Sequence, residues 1–194
     1  MASVVEICNR ALQKLGAQRI ADIDENTKNA RECKAAYTAL RDAELRAHPW
    51  NFSITRAQLA ASADTPVFGR ARSFPLPSTF LRLLPSYPEQ NLNDKDWQIE
   101  DGDEVLAIFT NDSAPLNVRY VQQVTDPNKM DPLFREALAA RMAFELCETI
   151  TQSTTKWQLL EEAYNKTIAT AKHTNAIENV AQVPAEDTWI TARQ

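Results

Sequence analysis

The chain of 194 residues holds only three glycines, three cysteines and two histidines. Each scarcity closes off a class of chemistry. With Gly16, Gly69 and Gly102 as its only glycines, it has no glycine-rich loop to cradle a phosphate and no G-x-S-x-G elbow to present a nucleophile. His48 and His173 lie far apart, and without C-x-x-C or H-E-x-x-H spacing a zinc site has little to build on. Cys8, Cys33 and Cys147 would leave an odd thiol if two paired, and they fall on apolar helix faces; the pattern predicts buried free thiols. No apolar run approaches the ~20 residues that cross a membrane, so no membrane partner is expected. The opening MASVVEICNR lacks a basic region followed by a long apolar stretch, and a cytosolic origin is expected. Positive charge is in deficit too: the net charge is −5, so no global field attracts nucleic acid.

What remains is the composition of a globular protein, 44% hydrophobic and 24% charged, of a length that suits one domain. Ser3 and Glu6 have the capping-box spacing, and Val4, Ile7, Cys8, Ala11, Leu12 and Leu15 recur at helical spacing up to Gly16. A second helix is predicted from about Thr27 to Ala47. Ala30, Cys33, Tyr37, Leu40 and Ala47 lie on one side of it, broadened by Ala36, Ala39 and Ala43. Arg41 with Glu44, and Asp42 with Arg46, have the spacing of a solvated, salt-bridged face. Pro49 disfavours helix at His48 and ends the element there, leaving Trp50 and Phe52 just beyond.

Between residues 62 and 95 five prolines predict an irregular connector, with STFLRLL at 78 to 84 as a short strand or turn. Asp101-Gly102 separates two apolar-containing runs and signals a β-hairpin, and PLNVRYVQQV offers a third strand beside it. Asp131-Pro132 then caps a helix that is apolar on more than half its girth, predicted to be the central one. After TQSTT a fourth helix carries Trp157, Leu160, Tyr164, Ile168 and Ala171 and ends near residue 175. The last stretch has little periodicity but presents Trp189 and Ile190, the pattern of a docking tail. The expectation is therefore an α+β protein, mainly α: an antiparallel bundle of about four helices (3–60 and 131–175), an irregular β insertion (62–125) and an extended tail (176–194).

The candidates for chemistry are few. A histidine near a helix C-terminus, such as His48 or His173, serves more often as a cap or dipole partner than as a catalyst. Glu100, Asp101, Asp103 and Glu104 flank a turn, and their span is far short of the roughly twelve residues of an EF-hand loop. Arg70, Arg72 and Arg82 alternate with Phe68, Phe74 and Phe80, a pattern that suits either phosphate contacts or a protein interface. In so acidic a chain the interface is the expected use. No cofactor, metal or catalytic residue is predicted.

Four segments in order carry a resemblance: ARECKAAYTALRDAELRAHPWNFSITRAQLA (30–60), FPLPSTFLRLL (74–84), VRYVQQVTDPNKMDPLFREALAARMAFELCETIT (118–151) and DTWITAR (187–193). Together they resemble the head-to-tail adaptor family of short-tailed bacteriophages, also called tail tubular protein A, over nearly the whole chain. The resemblance implies a helical bundle with a β-containing subdomain, acting as a structural virion protein in the tail. It implies a ring of about twelve subunits under the portal protein, extending the channel for genomic DNA and receiving the tail nozzle protein. Under it, Trp189, Ile190 and Arg193 would lie against the portal or an adjacent subunit, His48, Pro49, Trp50 and Phe52 would be structural anchors, and the arginines would face a neighbour. Two alternatives stay open: accessory cell-wall hydrolysis, for which the hairpin acids or Asp42 with Glu44 could be nominated, and a DNA-binding module built on the three arginines.

Overall fold

The computed structural model describes residues 2–84, 92, 96–102 and 105–178. Helix α1 (Val4–Leu15) begins where the Ser3 hydroxyl accepts from the Glu6 N–H at 3.1 Å, and ends in a left-handed Gly16, φ 66°. Helix α2 (Lys28–Ala47) is capped by Thr27 and stops at an extended His48. Helix α3 (Pro132–Thr151) starts on Asp131, whose carboxylate accepts from the N–H groups of Leu133 and Phe134 at 2.8 and 3.2 Å. Gln152, φ 52°, ends it, and Ser153 caps helix α4 (Thr154–Ile177) two residues on.

Helix α3 is the centre of the bundle, packed on α1, α2 and α4. Its alanines 137, 139, 140 and 143 are all buried and let the neighbouring helices approach closely. The core also takes Ile7, Leu12, Leu45, Trp50, Phe134, Leu138 and Met142. All three cysteines are buried there as free thiols. The Cys33 sulfur beside it, and then burial, push the Cys8 thiol well up from its usual range.

Strands follow where the bundle was expected to continue. The chain turns at Asn51–Ser53 into β1 (Ile54–Leu59), so the first bundle segment ends at Ala47 rather than at residue 60. The predicted connector holds β2 (Arg72–Pro75) and β3 (Phe80–Leu83), and β4 (Trp97–Gly102), β5 (Val105–Thr110) and β6 (Leu116–Gln122) complete the set. The hairpin forms, but Asp101 pairs with Leu106 and Gly102 with Val105, so Asp101 and Gly102 belong to β4 rather than to the turn. Strand β6 does not join that hairpin. Among the described residues these six strands make two antiparallel sheets, β1-β6-β3 and β2-β5-β4. The reason lies in the faces: Leu116, Val118 and Tyr120 of β6 meet Phe74 and Ile108 of the other sheet in one shared core, which a single sheet could not close. The result is α+β, mainly α, as expected.

The charged run on α2 is the main correction. Its buried stripe is Ala30, Cys33, Tyr37, Arg41, Glu44 and Leu45, whereas Ala39, Ala43 and Ala47 are exposed. A period of about 3.6 residues, followed for five turns, carries the inward face past Leu40 onto Arg41 and Glu44. Neither expected pair forms. Arg41 Nε instead bonds its neighbour Asp42 at 2.8 Å with its guanidinium over the Tyr37 ring, and Asp42 also accepts from Gln123 at 2.7 Å. Glu44 accepts from the Tyr164 hydroxyl at 2.5 Å, and Arg46 donates to the Leu81 carbonyl. The charges join α2 to α4 and to the β1-β6-β3 sheet.

Candidate interaction surface

The β2-β5-β4 sheet carries a cleft of about 450 Å³ under the loop that joins β1 to β2. Its floor includes Pro75, Ala107 and Phe109, and its walls include Asp64, Glu100 and Asp101. Above it, Val67 and Phe68 are 98% and 88% exposed. The loop is nonetheless anchored: Arg70 ion-pairs with Asp96, Asn111 Nδ2 donates to the second oxygen of Asp96 at 2.7 Å, and the Ala71 N–H donates to Asn111 Oδ1 at 3.0 Å. An apolar tip held out on a fixed stem is a feature of contact surfaces. The sequence signal was the pair Val67-Phe68 between Pro66 and Gly69, too short for any periodicity to register.

The structure does not bring the three candidate arginines together. Arg72 donates to the carbonyls of Asn111 and Asp112 at 3.4 and 3.1 Å, close to Arg70, while Arg82 donates to the Ala47 carbonyl at the end of α2. All three are tied within the chain. A single phosphate-tracking stripe is therefore not what they form. The nominated acids are divided as well: Glu100 and Asp101 flank the cleft, whereas Asp42 and Glu44 are bonded to Gln123 and to Tyr164. Asp103, Glu104, Trp189, Ile190 and Arg193 lie outside the described residues. Among the described residues, no group of His, Cys, Asp and Glu is placed to hold a metal ion. No helix among them is long and apolar enough to cross a membrane.

Helix α4 is the second exposed apolar element. Leu160, Ile168 and Ala171 face the bundle, but Leu159 and Ile177 are 62% and 70% exposed. Trp157, ring to ring with Phe144 at 4.9 Å, is more than one-third uncovered beside a cleft with Glu148 and Gln152.

Where α2 ends, the aromatic group after Pro49 packs inward. Trp50 is 1% exposed, donates its indole N–H to the Glu44 carbonyl at 3.0 Å and meets Phe134 edge-on at 5.0 Å. Phe52 contacts the same Phe134 ring at 5.1 Å. His48 stands edge-on to Trp50 at 4.7 Å, with Nε2 3.2 Å from the Asn175 amide nitrogen of α4. Burial first, and then the positive charges of Lys172 and Arg82, hold the imidazole below its usual value. The partner Asn175 carried no signal in the sequence, since a single asparagine on an exposed-looking helix end has no pattern to mark it. In comparisons with known proteins, no protein-family model matches the chain and no curated protein is significantly similar to it.

Proposed function

We propose that this chain is a structural virion protein, a head-to-tail adaptor that assembles as a ring under a portal, extends the DNA channel and receives the tail nozzle. The observation that supports the reading best is that exposed apolar side chains stand on two different parts of the fold, the β2-β5-β4 module and helix α4. Val67 and Phe68 project from the anchored loop of one sheet, and Leu159 and Ile177 from α4. A subunit with two different contact surfaces can join its neighbours head to tail, and such contacts form a ring where the rotation between subunits closes. The ordered resemblance to phage adaptors names which ring this would be. In this reading Trp189, Ile190 and Arg193 contact the portal or a neighbouring subunit, and DNA passes without specific binding, in keeping with a net charge of −5.

The test is to mix the purified protein with the portal ring from the same genome and measure the particle mass, alongside a copy lacking residues 180–194. A discrete complex with one copy per portal subunit, weakened by the truncation, is the expected result. Absence of any complex across a range of salt concentrations rejects the adaptor reading.

A further inference from the structure

The junction of α2 and α4 contains a polar node in which two hydrogen bonds orient the Asn175 amide. The Asn51 backbone N–H, which can only donate, lies 2.9 Å from Asn175 Oδ1. The Pro49 carbonyl, which can only accept, lies 3.4 Å from Asn175 Nδ2. These two partners fix which end of the Asn175 amide is oxygen and which is nitrogen. The NH₂ group therefore faces His48 Nε2 at 3.2 Å, and Nε2 must be the unprotonated acceptor. Asn51 Nδ2 completes the node by donating to the Asn175 carbonyl at 3.0 Å and to Glu178 at 3.4 Å.

A proton on Nε2 would set two donors against each other. Turning the amide over would not relieve the clash, because it would oppose nitrogen to the Asn51 N–H and oxygen to the Pro49 carbonyl. The charged groups around the ring add to the effect. Lys172 faces it from α4 and Arg82 from β3, both positive, while Glu178 of α4 is reached through Asn51, on the far side of the amide. The Glu44 carboxylate of α2 is occupied by Tyr164. Among the described residues His48 makes no ion pair that would reward its charging.

We propose that His48 and Asn175 form a proton-sensitive latch that holds the last turn of α4 to the end of α2 while the imidazole is neutral and releases it when Nε2 is protonated. The latch lies in the last turn of α4, which ends at Ile177. This inference stands on the node alone and is independent of the adaptor reading.

The test uses the full chain, with NMR titration of both imidazoles and hydrogen exchange at residues 172–178, expressed as protection factors. As pH falls from about 7.5 to about 4.5, a window that reaches below the ordinary histidine range because His48 is held below its usual value, protection at 172–178 should fall several-fold while that of α3 stays constant. His48→Gln, which cannot gain charge, should keep protection level across the same range. Asn175→Asp keeps an acceptor for the Asn51 N–H and turns a second carboxylate oxygen toward Nε2, so the titration of His48 should move up instead. Protection that is independent of pH in the parent chain, or that falls equally in His48→Gln, overturns the latch.

Discussion

Tyr164 and Glu44 show how a side chain on one helix sets the chemistry of another. Glu44 is only 7% exposed, and the Tyr164 hydroxyl is its hydrogen-bond donor at 2.5 Å. Burial, then the hydrogen bond to Glu44 and the charge of that carboxylate, push the phenol up to about 12. The sign follows from linkage: a phenol whose folded value lies above its unfolded value contributes stability that is complete below the ordinary value and is lost as pH rises through the folded one. We therefore expect phenolate absorbance of Tyr164, isolated by comparison with Tyr164→Phe, to develop near pH 12 rather than near 10. Development near 10 would mean that the pair with Glu44 is open in solution. Neither member could be matched to the other from the sequence, because nothing in a helix period tells a buried carboxylate from a solvated one.

At the scale of elements, caps and turns were the most legible features, because their chemistry is local. Ser3, Gly16, Thr27, Asp131 and the break before Ser153 act where their residue types predict. Strand partners were the least legible, since pairing is decided by residues far away in the chain. The β4–β5 hairpin makes a testable case. A Cβ built on Gly102 would stand 2.8 Å from the Ala107 Cβ and 2.9 Å from the Val105 carbonyl oxygen, so the strands close here only around a residue without a side chain. Gly102→Ala should lower the urea midpoint by an amount corresponding to about 1–3 kcal/mol, the usual scale for overpacking. An unchanged midpoint would show that the turn shifts to accommodate the methyl group.

At the scale of the whole molecule, the bundle and the two-sheet module each own a core, and the charged end of α2 lies between them. Arg46 to Leu81, Arg82 to Ala47 and Gln123 to Asp42 all cross that boundary. The exposed tip at Val67 and Phe68 stands in the sheet module and contributes to neither core. Changing both residues to serine should therefore leave the urea midpoint within about 0.5 kcal/mol, as surface changes usually do. Under the adaptor reading the same change should weaken the complex with the portal or the self-assembled ring, read as particle mass. A complex of unaltered mass and stability would remove the tip from the assembly surface.

The sequence alone determined the four helices, their ends, the burial of the three thiols and the existence of a hairpin, because periodicity, capping and turn chemistry act over a few residues. The tertiary structure decided which strands share a sheet, that Arg41 and Glu44 turn inward, that Arg82 separates from Arg70 and Arg72, and that His48 meets Asn175 across 127 residues of chain. Those outcomes depend on which distant surfaces close on one another, and a donor or acceptor acquires its role only when the opposite group arrives.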